Sequence, residues 1–475
     1  MKNILLIKNS KLYVVAILVC LSCFSCKKWI EIPAPIDKIE SEVAFSDSTT
    51  IVAAIDGVYA NFGYYNYTGM GGINGEYLTI YPALSSDELS ASSPGSYVKQ
   101  FEDNGLRPEN STVSAFWRTG YEGIYRINAC IEGITKSNGV RKELKDRFIG
   151  EIKVARALYY FNLVNLYGGV PIVTTTEYAA NARLPRASEN EVYQLIIADL
   201  KEARNVLKAT YPSAGRARPN LYTATALLAK VYLYQQNWVE AEKMAKEVSN
   251  SGVYSLVTDP DKVFLGTSST FTNTEAIWQL PTVGGNYQQT AEAYTFAFYP
   301  IRFGVIPTYY LTQTLINAFE PNDLRKTKWL KAFTLNGNTY YYPFKYKNLD
   351  AGTTPREDYM LFRLSEQYLI LAEALAHQGK LTDALVYLNQ VRTRAGLPTI
   401  NPETQESLLN AIMQERRIEL FCERGNRWFD LKRSGTANTV LGGMKSAKWQ
   451  PEDALYPVAL SELNTNSTLV QNPGY

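Results

Sequence analysis

Apolar positions set the rhythm of this chain. Between Ser365 and Gly396, Ala372, Leu375, Gly379, Ala384, Leu388 and Val391 alternate small and bulky residues. That spacing predicts two short helices whose axes approach closely at the alanines, with Leu388 and Val391 filling the groove of the first helix. Gly379 begins the turn between them. The same offsets return at Ala229, Tyr232, Gln236, Ala241, Ala245 and Val248, with polar Gln236 in the place of the glycine.

One such hairpin is weak information; two in matching register describe a repeat of the tetratricopeptide kind. A single unit cannot bury its own apolar face, so further divergent units are expected to stack against these two. Helical stripes accordingly run through Asp47 to Tyr59, from Ser114 onward (Phe116, Tyr121, Ile124, Ile127, Ile131) and through Lys142 to Tyr167, which Gly168-Gly169 and Pro171 stop. Ser188 with Glu191 forms a capping box for a helix over Ser188 to Leu207. Leu408 to Arg433 is helical again.

The periodicity fails twice. Residues 62–110 are rich in Gly, Ser, Asn and Tyr and read as loops bearing exposed rings. Residues 254–361 crowd Trp278, Tyr287, Tyr294, Phe296, Phe298, Tyr299, Phe303, Tyr309 and Tyr310 among Gly and Pro, and Tyr340-Tyr341-Tyr342 reads as a short strand. An insertion of this length in a repeat array is expected on one face, as a functional elaboration. The fold class is therefore mostly α: a helical scaffold of tetratricopeptide-like repeat pairs with loop-rich, partly β insertions.

Composition narrows the function. The chain has 475 residues and is 46% hydrophobic, ample for a large core. Its 48 Lys and Arg stand against 46 Asp and Glu, which gives no electrostatic case for nucleic acid. Tyr (34) nearly doubles Phe (18), an excess suited both to helix packing and to surfaces that meet ligands.

The first residues read as a leader. Lys2, Lys8 and Lys11 form a basic n-region, and Leu12 to Leu21 is an apolar run too short to span a bilayer comfortably. The following Ser22-Cys23-Phe24-Ser25-Cys26-Lys27-Lys28 resembles a bacterial lipoprotein signal, with Cys26 as the acylated residue, Cys23 as the competing acceptor and an ordinary signal peptide as the alternative. Trp29 to Lys38 reads as a Pro-punctuated tether. Only Cys130 and Cys422 then remain as candidate free thiols, with no disulfide framework and no zinc pattern.

Several segments together resemble the SusD/RagB family of Bacteroidetes surface lipoproteins. They are Ala155 to Leu163 with Tyr167-Gly168-Gly169-Val170-Pro171, the Ala226 to Ala241 hairpin, Arg363-Leu364-Ser365-Glu366 with Ala372-Glu373-Ala374, Glu415 to Leu420 with Arg427 to Arg433, and the Gln471 to Tyr475 ending. The resemblance implies a leader 1–25 and a single SusD-like domain 26–475: tether 26–44, aromatic loop region 62–110, helical repeats 114–250, aromatic insertion 254–361 and a closing helical segment 362–475. It implies a lid on a SusC-like TonB-dependent barrel, lipid-anchored at the outer membrane and facing outward, that admits an oligosaccharide or, in the RagB branch, peptides. The helical array would be the docking side and the aromatic zones the ligand side. Lys27-Lys28 depart from the acidic residues that often follow the acylated cysteine in such proteins.

Catalysis is not expected, and no cofactor is implied. The chain has one His, His377, at the end of a repeat helix beside Gln378-Gly379, where a partly exposed turn residue is the plain reading. A protein-binding scaffold without a small ligand of its own is the remaining alternative. The Glu415 to Arg433 charges, recurring every four residues, read as helix-surface and partly buried ion pairs rather than an anion site. A sugar presents apolar C–H faces and hydroxyl edges, so its site needs flat rings and amide or carboxylate groups. Tyr64, Tyr65, Tyr97, Tyr287, Tyr294 and Tyr299 are the candidates for stacking, and Asp87, Asn104 and Asn286 for polar contacts.

Overall fold

A computed structural model describes residues 44–63, 72–268, 271–282, 289–350, 353, 355–446 and 448–475. The leader, Cys26 and the Trp29 to Lys38 tether lie outside them. Helix α1 (Ser48–Gly63) begins where expected, because Asp47 accepts hydrogen bonds from the backbone N–H groups of Thr49 at 2.7 Å and Thr50 at 3.0 Å. It buries Ile51, Ile55 and Val58.

The first departure from the sequence reading follows at once. The stretch expected to be loop folds into helix α2 (Glu76–Ser85), strand β1 (Leu89–Ala91) and helix α3 (Ser96–Glu102). In α2 every residue but Tyr77 is buried, Glu76 and Ser85 included. A helix covered on all sides has no polar stripe, so its period of 3.6 is invisible in the sequence.

Helix α4 (Ser111–Lys136) is capped by Asn110, which accepts from the Thr112 N–H at 2.9 Å, and α5 covers Lys142–Tyr167 as predicted. Their axes approach where Gly123 faces the ring of Tyr159; a Cβ there would come within 2.2 Å of that ring. The Ser188–Glu191 capping box opens α6 (Glu189–Val206). The first repeat hairpin is α7 (Leu221–Tyr234) and α8 (Trp238–Ser249).

The insertion then carries strand β2 (Ala276–Pro281), a π-helical turn Ala293–Phe298 running into the short helix α9 (Tyr299–Phe303), and strands β3 (Tyr309–Leu311), β4 (Leu330–Leu335), β5 (Asn338–Pro343) and β6 (Asp358–Arg363). The Tyr340-Tyr341-Tyr342 strand is therefore real. It pairs with β4 through a tight turn at Asn336-Gly337, both with positive φ, the backbone that a two-residue hairpin requires. Antiparallel pairing of β2 with β6, from Ala276↔Arg363 to Pro281↔Asp358, closes the neck of the insertion.

The second hairpin, α10 (Leu364–His377) and α11 (Leu381–Arg394), follows directly. Although the insertion separates the hairpins in sequence, α8 packs on α10, so the stack α4, α5, α6, α7, α8, α10, α11 is continuous in space. His377, exposed at the end of α10, stacks on Trp238 with ring centroids 3.8 Å apart and planes 10° from parallel. Ala384, Leu388 and Val391 are fully buried, each leucine- or valine-sized side chain contributing roughly 1.5–3 kcal/mol.

Helices α12 (Gln405–Glu419), α13 (Asn426–Arg433) and α14 (Ala437–Met444) follow, with a short helix Leu460–Thr465 near the end. The Glu415 to Arg433 charges are ion pairs, as the sequence suggests, but they reach between elements rather than along one helix surface. The helix stops at Glu419, and Cys422, Arg424 and Gly425 adopt positive φ, so Glu423 and Arg427 point to different neighbours. Arg325 donates to Glu415 at 2.5 Å and Glu419 at 2.9 Å, Arg363 to Glu423 at 2.8 and 2.9 Å, and both Arg363 and Arg394 reach Glu419. All of these groups are buried except Glu423, which is partly exposed. Burial alone would neutralise the Glu419 carboxyl; Arg394, Arg363 and Arg325 outweigh it and hold the group well below the usual carboxylate range. This network clamps the insertion to the repeat array.

Candidate functional site

The insertion presents its rings through an unusual piece of helix. In the π-helical turn, hydrogen bonds run from i to i+5, so a side chain sits between those four and five residues ahead. Tyr294 accordingly touches both: its ring lies 4.8 Å from that of Phe298, at 24°, and 5.6 Å from that of Tyr299, at 73°. The two phenol oxygens are 2.9 Å apart. Phe303 extends the cluster, 6.0 Å from Phe298 and 5.9 Å from Tyr299. The opposite face of the segment, Ala293, Phe296, Ala297 and Pro300, is buried. Tyr299 and Phe303 are 40% and 64% exposed, and Ile301 and Val305 are exposed beside them. Gly304, with φ +60°, ends the helix.

Beneath the rings lies a polar bed shared with the N-terminal zone. Thr295 donates its hydroxyl to Glu76 of α2 at 2.7 Å, and Thr79 of α2 donates to Glu292 at 3.2 Å. Burial pushes the Glu76 carboxyl up to about 7; burial and the neighbouring Glu76 push Glu292 up to about 7 as well. Neither carboxyl has an ion-pair partner among the described residues, so the platform rests on hydrogen bonds rather than on ion pairs.

The two aromatic zones are stitched together by β1 and β3. Leu89 pairs with Leu311 and Ala91 with Tyr309, and the ladder is extended by Ser92 N–H to Thr308 O at 3.0 Å and Thr312 N–H to Glu88 O at 2.9 Å. Tyr310 of β3 meets Tyr340 of β5 edge to face at 5.2 Å and senses the charges of Glu102 and Lys99 on α3. Tyr97, in the first turn of α3, is 49% exposed.

The structure thus brings Tyr294 and Tyr299 into one cluster and leaves Tyr97 exposed on the element stitched beside it. It places Asp87 and Asn104 elsewhere. Asp87 is buried, with its carboxylate held by Arg427 at 2.7 and 2.9 Å and by Arg417 at 2.7 Å. Asn104 is buried with φ +56°, donating to Ser85 O at 3.1 Å and accepting from Lys445 at 2.8 Å. Both are scaffold groups whose polar atoms are already engaged, a correction to their reading as ligand contacts. Tyr64, Tyr65, Asn286 and Tyr287 lie outside the described residues. Phe298 and Phe303, not among the sequence candidates, belong to the same ring cluster. Their spacing from Tyr294 and Tyr299, four residues in each case, is the signal in the sequence for a shared face.

Comparison with known proteins identifies the fold. Residues 327–475 match the SusD family, and residues 40–233 match a family described as starch-binding and associating with the outer membrane. SusD-like protein P25 of Formosa agariphila is 25% identical over 97% of this chain and 99% of its own. A SusD superfamily protein from Bacteroides vulgatus superposes with a TM-score of 0.76 at 22% identity, covering 91% of this chain and all of that one. A laminarin-binding SusD-like protein does so with a TM-score of 0.72 at 25% identity over 91% of this chain and all of its own. Together with the repeat stack and the ring-bearing insertion grafted on it, these matches establish that the chain belongs to the SusD/RagB family.

Proposed function

We propose that this protein is a lipid-anchored carbohydrate-binding protein of the outer-membrane surface, which captures an oligosaccharide and passes it unaltered to a SusC-type TonB-dependent barrel as that barrel's lid. The observation that carries the reading is the exposed cluster of Tyr294, Phe298, Tyr299 and Phe303 over its buried bed. Flat rings held rigidly at half exposure offer C–H faces of a sugar a stacking surface without reorganisation, and the phenols supply hydrogen bonds at its edges. Starch and laminarin, named for the matching family and for one solved relative, place glucans first among the ligands to try.

Cys26 carries the acyl chains in this reading, and the repeat hairpins α7–α8 and α10–α11 face the barrel. The test is direct binding of laminarin and soluble starch, with Tyr299→Ala/Phe303→Ala as the control. Retarded migration of the wild type through glucan-containing gels, abolished in the double variant, is the expected result. Binding of peptides but not of any glycan would instead place the protein with RagB. Binding of neither, with retention of the barrel on purification, would make it a scaffold.

A further inference from the structure

A second concave surface lies along α4. It encloses about 540 Å³, within the range of roughly 300–1,000 Å³ typical of small-molecule sites. Its floor is Trp117, only 3% exposed, whose ring lies 5.3 Å from that of Tyr121. Tyr121 is pinned from behind, its hydroxyl donating to Pro171 O at 2.8 Å. One helical turn further on stands Tyr125, about 6 Å along the axis at a rise of about 1.5 Å per residue. Tyr125 is 55% exposed and has neither a ring neighbour nor a hydrogen-bond partner among the described residues.

The walls are polar. Arg118 and Glu122 pair with each other at 2.8 Å and so are occupied. Arg126 has no carboxylate partner among the described residues. Across the cleft Glu462, from the short C-terminal helix Leu460–Thr465, likewise has no side-chain partner there, and burial pushes its carboxyl up. A packing surface would bury the outer tyrosine and pair these charges. Here a fixed aromatic floor converges on one hollow with a phenol, a guanidinium and a carboxyl that have no partner among the described residues.

We infer that the α4 cleft is a second carbohydrate subsite, in which a sugar ring stacks on Tyr125 and Tyr121 while its vicinal hydroxyls bridge Arg126 and Glu462. Sugars suit it because a ring with an apolar face and adjacent hydroxyls meets both wall types at once; a vicinal diol can donate to the carboxylate and accept from the guanidinium. The site rests on the carbohydrate-binding reading above, and its consequence is bivalent attachment to a polymer, in which the second contact raises avidity without altering the first.

The test compares three forms of the full chain on an array of neutral and uronate-containing glycans, then by affinity electrophoresis in the polysaccharide that binds. They are the wild type, Tyr125→Ala/Arg126→Ala and Tyr299→Ala/Phe303→Ala. All four substituted side chains are exposed, and thermal melting checks that each variant folds. The expected result is a loss of polymer affinity on the order of tenfold in the α4 variant, with the stoichiometry for a short oligosaccharide of the same glycan falling from two to one. Wild-type affinity and stoichiometry in the α4 variant, with loss in the insertion variant, would overturn the subsite and leave the proposed function standing. A wild type that binds no glycan would overturn both.

Discussion

Arg427 holds Asp87 with a two-pronged grip, Nε to Oδ1 at 2.7 Å and Nη2 to Oδ2 at 2.9 Å, joining residues 340 positions apart in sequence. Arg417 adds a third contact to the same carboxylate at 2.7 Å. Burial alone would push the Asp87 carboxyl up; Arg427 and Arg417 hold it below its ordinary value. Asp87→Asn leaves two guanidinium groups uncompensated in a largely dry site and should cost about 3 kcal/mol of stability. Urea denaturation measures the loss. Affinity for carbohydrate, measured on the folded fraction, should be unchanged, because no part of this grip belongs to the ring platform.

The two repeat turns form a matched pair. Gly379 has φ +75° and Gln236, at the same place in the other hairpin, φ +54°. A left-handed backbone costs a non-glycine residue about 1–2 kcal/mol, and glycine returns part of that in unfolded-state entropy. Gln236→Gly should therefore stabilise by about 0.5–1 kcal/mol. Gly379→Ala should destabilise by about 1 kcal/mol through the backbone alone, since a Cβ there meets nothing within 4 Å. Denaturation midpoints of the two variants moving in opposite directions would bear this out.

Stability should also carry the signature of the buried acids. Glu76 and Glu292 are pushed up to about 7 in the folded chain, against about 4.3 when unfolded. The native state then keeps protons that the unfolded state releases, so their contribution is full below the unfolded value and is lost as pH rises toward about 7. Asp430 runs the other way: burial pushes its carboxyl up, but Arg416 and Arg433 outweigh this and hold it at about 2. Its contribution is present above about pH 4 and is lost as pH falls toward about 2. Thermal melting of the wild type should weaken from about pH 5 to about pH 7.5, and Glu292→Gln should reduce that slope. An unchanged slope in Glu292→Gln would show that this carboxyl ionises freely in the fold.

Cys130 and Cys422 are free and buried. Burial pushes the Cys130 thiol up to about 11 and the Cys422 thiol well above its usual value, with Glu88 adding to the effect at Cys422. Neither should react with a thiol reagent near neutral pH until the protein is unfolded, and reagent uptake before and after denaturation measures this.

Much of the scaffold was legible in the sequence, because amphipathic helices advertise themselves. The Lys142–Tyr167 helix, the Ser188–Glu191 capping box and both repeat hairpins depend on local spacing and caps, which a sequence displays directly. What was not legible depends on other parts of the chain. Helix α2 is buried on every side and so lacks a polar face, while the partners of Glu419 and Glu423 come from elements far away in sequence. The candidate site was legible only in part for the same reason: Tyr294 and Tyr299 fall in one ring cluster, whereas Asp87 and Asn104 are engaged within the scaffold. A ring-rich segment can be read locally, but whether an acid such as Asp87 faces solvent or an arginine is decided by tertiary contacts.

The most direct measurement of the central claim is equilibrium titration of laminarin and soluble starch into the wild type, Asp87→Asn and Tyr294→Ala/Tyr299→Ala/Phe303→Ala. Each stacked ring lost should cost about 1 kcal/mol of binding. The account expects the wild type and Asp87→Asn to bind alike and the ring variant to lose affinity by a factor of roughly one hundred or more. A ring variant that is folded and binds with wild-type affinity would contradict it.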